Sequence, residues 1–217
     1  MTALIIGIVV AVASIPLFKL WERHNLKKNR RAWREAAQRR GFTYVQDREA
    51  LKVRLCHFKI FGLGHSQRVN AAMSGRMQDA EITLVDYRYV TGHGRNRRIH
   101  WQTICVLSSP SLNLPHFFVR PEVKLLDFFG KMFGGQDINF DEDPQFSKAF
   151  VLQGHDEEAT RRLFDHRVRR HFARYRGRRL QIEGWQESLM VHDGKVRKPG
   201  ETKDLEDLAF SFFGLWR

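Results

Sequence analysis

Only two cysteines, Cys56 and Cys105, occur in 217 residues. Two well-separated thiols build neither a disulfide framework nor a Cys-ligated zinc site. Both fall in apolar stretches that read as strands, where free Cys behaves as a small buried hydrophobe, and a reducing compartment fits that usage. The signatures of common chemistries are missing as well. There is no G-x-x-x-x-G-K-[ST] loop, no H-E-x-x-H and no paired C-x-x-C. Gly62-Leu63-Gly64 lacks the third glycine of a dinucleotide loop, and Ser66 is followed two residues later by Arg68 where a nucleophile elbow needs glycine. Asp137-Ile138-Asn139-Phe140-Asp141 opens like a calcium loop, but Glu142 stands at the glycine position and Lys148 at the bidentate glutamate position, so a cation there loses its key ligand. His166 and His171 are five apart and do not share a helix face. No cofactor, no metal site and no catalytic residue is expected on these grounds. Internal repeats and low-complexity tracts are also lacking.

Acidic residues are in short supply: 24 against 37 Lys and Arg, a net charge of +13. The excess is concentrated. From Lys19 to Arg40 nine basic residues face Glu22 and Glu35, a net of +7, and from Asp156 to Arg179 nine arginines face four acids, a net of +5. Everything else nets +1. A near-neutral body with two basic segments has a preferred anionic surface rather than a diffuse field.

One long run carries no charge. Thr2 to Phe18 is TALIIGIVVAVASIPLF, and Leu20 and Trp21 extend it past Lys19. At about 1.5 Å per residue it spans most of a roughly 30 Å hydrocarbon core. A cleaved signal peptide is the rival, with Ala11-Val12-Ala13 as its small-residue site, but no basic residue precedes the run. The basic residues follow it, which the positive-inside rule assigns to the cytoplasm. The expectation is an uncleaved anchor over 1–21, a basic juxtamembrane helix over 22–40, and a cytoplasmic domain over 41–217. The location implied is a bacterial inner membrane crossed once.

The pattern of that domain is α+β, an antiparallel sheet with packed helices. Lys27 to Arg39 reads as a helix ended by Gly41. Strands are expected over Phe42–Val45, Leu55–Phe61, Arg68–Met77, Ile82–Val90, Ile99–Leu107 and Phe117–Arg120, with about five forming a meander. In Ile82–Val90, Leu84, Asp86 and Arg88 share one face and Val85, Tyr87 and Tyr89 the other. Short strands follow at Asp137–Phe140 and Ser147–Leu152, a long helix at Asp156–Tyr175 with acids first and arginines later, a hairpin over Leu180–His192, and a last helix at Thr202–Trp216.

Candidate binding residues are the basic ones. Lys27, Lys28, Arg30, Arg31 and Arg34 would lie near headgroups, and Arg161, Arg162, Arg167, Arg169, Arg170 and Arg174 would form a second anionic-surface site around Phe164, Val168 and Phe172. A merely solvated face is the plain alternative. On the 123–133 helix, Leu125, Phe128, Phe129, Met132 and Phe133 fall on one side, either packed on the sheet or lying in the headgroup plane. Asp86 beside His100 across a hairpin could form an acid–base pair or a plain cross-strand contact. The partners expected are the membrane itself, a membrane protein or anionic lipid. Nucleic acid ranks second, and an enzyme with a scattered site third.

The middle of the chain resembles an uncharacterised family of bacterial single-pass membrane-anchored proteins. The likeness rests on Val85-Asp86-Tyr87-Arg88-Tyr89, Gln102-Thr103, Leu114-Pro115-His116-Phe117, Arg120-Pro121-Glu122, Asp137-Ile138-Asn139-Phe140, Pro144-Gln145-Phe146-Ser147 and Phe150-Val151-Leu152-Gln153-Gly154 with Asp156-Glu157. It implies an anchor followed by an α+β domain and assigns no catalytic residue.

Overall fold

The computed structural model describes residues 23–122 and 137–217. The expected anchor and the 123–133 helix lie outside them. Among the described residues no helix is long and apolar enough to cross a membrane.

The chain starts as helix α1 over 23–39. Gly41, at φ +66°, ends it, and the Phe42 N–H returns to the Ala37 carbonyl at 2.8 Å. A left-handed residue after the last turn is the position glycine fills best. Strand β1 (Thr43–Tyr44) and helix α2 (Arg48–Arg54) follow, the helix capped by Asp47, whose side chain accepts from the Ala50 N–H at 2.9 Å. Then come β2 (His65–Met77), β3 (Ala80–Thr91), β4 (Arg98–Ser108) and β5 (Leu114–Pro121). The second half gives α3 (Pro144–Ala149), β6 (Phe150–Gly154), α4 (Glu157–Leu163), α5 (His166–Ala173), β7 (Gln181–Gln186), β8 (Ser188–His192) and α6 (Lys203–Trp216).

The eight strands form one antiparallel sheet in the order β1-β2-β3-β4-β8-β7-β5-β6. The α+β expectation stands. The simple meander does not: β2–β3–β4 is one, but the β7–β8 hairpin inserts between β4 and β5. Alternation marks a strand and one of its faces, and it carries no information about a partner eighty residues away.

Both faces are covered. On one, Trp33, Ala36 and Ala37 of α1 pack with Leu205, Ala209, Phe212 and Phe213 of α6 and with Val168 and Phe172 of α5 over Met73, Leu84, Cys105 and Ile182. Each such large side chain contributes about 1.5–3 kcal/mol when fully buried. On the other, Leu51, Leu55, Phe58, Ile60 and Phe61 cover Val85, Tyr87, Ile104 and Met190. The 55–61 segment is therefore a lid on the sheet and not a strand of it. Its backbone is satisfied by local turns, Phe58 N–H to Leu55 O and Phe61 N–H to Phe58 O at 3.0 Å each, with a 3₁₀ turn over Lys59–Gly62. Cys56 on this lid is exposed, against expectation, while Cys105 in β4 is buried.

The expected long helix is two. Phe164 leaves the helical backbone, and Asp165 caps α5 by accepting from the Val168 N–H at 2.8 Å. The break turns Phe164 into the core, against Phe117 and Phe172. The 137–149 segment is also corrected: 137–140 forms no strand, and 144–149 is helix α3, capped by Asp143 with Pro144 in its first turn.

Candidate anionic-surface site

Three contacts fix the direction of α1. The Asn29 amide bonds Asp86 at 2.6 Å, the Arg30 guanidinium bonds the Asn70 carbonyl at 3.1 Å, and Arg40 reaches the Met77 sulfur at 4.0 Å. The helix thus runs along β2, and its first turns point toward the start of β2, the end of β3 and the start of β4. Lys27, Lys28, Arg31 and Arg34 are exposed on it. Arg31 pairs with Glu35 at 2.8 Å, and Arg34 lies 5.2 Å over the Tyr44 ring. Arg30 is a strut instead. Burial, then Arg48 and Arg68 nearby, push its pKa down.

The second arginine group divides. Arg161 pairs with Glu157 and donates to Asn139 O at 2.7 Å, Arg162 pairs with Glu158, and Arg167 donates to the Leu215 carbonyl at 2.6 Å. Arg169 is buried, bonded to Asp143 and to Phe164 O, paired with Glu142, and stacked 4.2 Å from the Phe140 ring. That residue belongs to the interior and not to a surface, contrary to its expected place. Arg170 and Arg174 are exposed, and the exposed series continues through Arg176, Arg178 and Arg179.

The antiparallel registers sort the loops into two ends of the sheet. The end that α1 points to holds the β3–β4 turn, the end of β8 and the start of β7. Arg95, Arg97 and Arg98 stand on the first of these, Arg176, Arg178 and Arg179 before β7, and Lys195 after β8. A cleft of about 400 Å³ there is lined by Arg178, Arg179, Lys195 and Tyr175, with Asp193. The opposite end carries Asp79 in the β2–β3 turn, Glu187 between β7 and β8, and Asp156, Glu157 and Glu158 after β6. Exposed basic residues thus gather at the end of the chain's entry, while the acids of the opposite end are in large part paired, Asp79 with Arg217, Glu157 with Arg161 and Glu158 with Arg162.

The acid–base pair fails on geometry. Asp86 faces α1 and sits opposite Thr103, whereas His100 lies on the other face, stacked 4.6 Å from Tyr89 and bonded to Thr91 Oγ1 at 2.8 Å. A period of two separates them. Burial raises the Asp86 pKa against its bonds from Asn29 and Asn70. A groove of about 810 Å³ between α1 and the 196–201 loop contains Asp86 with Asn25, Lys28 and Arg39, and neither His100 nor Arg88 lines it.

One polar cluster escaped the sequence. Glu183 of β7 is fully buried, with oxygens 2.8 Å from the His116 Nε2 and from the Lys59 backbone N–H. Burial raises the Glu183 pKa and lowers that of Lys59 to about 8. Trp185 sits against His116 and His57. The cluster has no hydroxyl or thiol nucleophile among its members. His192, on the same sheet face and fully buried, leaves both ring nitrogens unbonded. The signal in the sequence is a charged Glu183 between Ile182 and Gly184 in the middle of a short strand.

No family model and no curated protein matches this chain. Its fold is similar to the crystal structure of the mycobacterial trehalose monomycolate transport factor A, TtfA, with a TM-score of 0.54 and 13% identity over 85% of this chain and 90% of that one. At that identity the likeness is one of fold.

Proposed function

We propose that this chain is a membrane-tethered, non-enzymatic interaction domain whose basic end faces an anionic leaflet or an acidic membrane-protein partner. The observation that carries the reading is a coincidence at one end of the sheet: the N-terminal end of α1, which follows the apolar run in sequence, points there, and the exposed Arg95, Arg97, Arg98, Arg178 and Arg179 gather there. A domain held at a surface by its entry helix brings those charges toward it, and each one within a Debye length of about 8 Å contributes about 1 kcal/mol. The anchored family that the central blocks resemble supports the same arrangement. TtfA is by name a transport factor, and its similar fold transfers no residue role at this distance. Membrane-associated nucleic-acid binding stands second, because Trp101 lies among arginines.

The test is topological. The full chain should stay with membranes through alkaline carbonate extraction, and a phosphatase reporter fused after Arg217 should be silent. Release by carbonate, or an active reporter, refutes the reading.

A further inference from the structure

We propose that the β3–β4 hairpin is a second membrane contact, which docks on anionic lipid headgroups and fixes the orientation of the tethered domain. The proposal rests on the tethered reading above and names the surface it uses. From Arg88 to Trp101 the chain is RYVTGHGRNRRIHW, four arginines and no acid. Four large apolar side chains are exposed among the described residues, and three of them gather here: Trp101 at 39%, Ile99 at 42% and Val196. Val196 joins because residues 195–197 flank Thr103, whose N–H bonds Lys195 O and whose hydroxyl accepts from the Arg197 N–H, each at 2.8 Å.

Facing and stiffness agree with docking. Ile99 and Trp101 alternate with His100 and so lie on the sheet face that α1 crosses, opposite Val90 and Arg88. The Arg88 guanidinium sits 5.5 Å over the Trp101 ring. Pairing runs unbroken to Thr91↔Arg98, and Gly92, at φ +69°, closes the turn where a side chain would strike Asn96 O. The paired ribbon therefore holds an indole, a branched aliphatic, Arg88 and Arg98 in register, and the turn it closes adds Arg95 and Arg97. Indole belongs at the boundary between headgroups and acyl chains, and guanidinium matches phosphate oxygens bidentately. Lipid is favoured over a protein groove because the apolar atoms and the charges share one tip. A headgroup layer presents those two environments within a few ångströms of each other. Since the tether makes docking intramolecular, the arginines set the ratio of docked to undocked domain. At about fivefold each, Arg95, Arg97 and Arg98 together give roughly a hundredfold.

The full chain, with Cys56→Ser and a spin label on Asn96→Cys, is reconstituted into phosphatidylcholine vesicles and into phosphatidylcholine–phosphatidylglycerol vesicles. A label on Glu187→Cys at the far end is the control. The label at 96 should lose access to a water-soluble relaxation agent only on the anionic vesicles, while that at 187 is unchanged. Arg95→Gln, Arg97→Gln and Arg98→Gln together should restore access, with the line shape at 187 reporting an intact fold. Equal access at 96 in both vesicles, in protein that resists carbonate, overturns the hairpin contact and leaves the tether standing. Loss of the protein to carbonate overturns both. Shielding at 96 by single-stranded RNA and not by phosphatidylglycerol makes the tip a nucleic-acid surface instead.

Discussion

His192 is a histidine that the fold cannot protonate without cost. Its ring is buried with two bare nitrogens, and desolvation, opposed only by Asp193, pushes its pKa down to about 4. The unfolded chain takes up that proton near the ordinary histidine pKa of about 6.5. Between these two values the unfolded state binds more protons, so stability must fall as pH falls. The span is worth up to about 3 kcal/mol at pH 4. Burial depresses His57, His100 and His171 in the same sense, while the raised Asp86 and Glu183 act in the opposite one. All five remain when His192 is replaced. In urea denaturation of the full chain in micelles, the His192→Phe variant should show a flatter stability profile from pH 6.5 to 4 than the parent. Parallel profiles would place the acid sensitivity elsewhere.

Asp165 decides, at the scale of an element, whether the arginine segment is one helix or two. Its carboxylate satisfies the first turn of α5, and the break lets Phe164 pack between Phe117 and Phe172. Asp165→Ala should cost about 1 kcal/mol, the ordinary value of an N-cap, and Asp165→Asn much less. Chemical denaturation midpoints of the two variants measure the difference, and equal midpoints would exclude the cap. The break shows why parts of the fold were legible and others not. β2, β3, β4, the β7–β8 hairpin and α6 follow from alternation or helical spacing, because one buried face imposes the period. Asp165 reads equally well as one more acid in a helix whose stripe of Phe164, Val168 and Phe172 looks continuous. Leu55–Phe61 is apolar enough for a strand, yet it is consumed as a lid, a tertiary choice that no local pattern records. The same limit hid Glu183 and His116, which meet only because β5 and β7 are neighbours.

For the whole molecule, the question is which arginines hold the fold and which face outward. Sequence position alone grouped Arg167, Arg169, Arg170 and Arg174 together. Arg169 is interior, with two carboxylates and a carbonyl as partners and Phe140 beneath it. Removing its charge leaves Asp143 partly buried beside an uncharged amide. Arg169→Gln should cost about 2–3 kcal/mol, a Tm decrease of about 4–12 °C for a chain of this size. The exposed series behaves oppositely. Arg170, Arg174, Arg176 and Arg179 are exposed, so replacing all four with Gln should move Tm by only about 2 °C. On phosphatidylglycerol-containing vesicles, hydrogen exchange of the 174–180 segment should be slower than on neutral ones. That protection should fade as salt rises, since exposed charges are screened within about 8–10 Å at physiological strength. The fourfold variant should lose the protection, and Arg169→Gln should keep it. A fourfold variant that unfolds early, or an Arg169→Gln variant that is stable but unprotected, would exchange the two roles and with them the assignment of the basic end as the membrane-facing one.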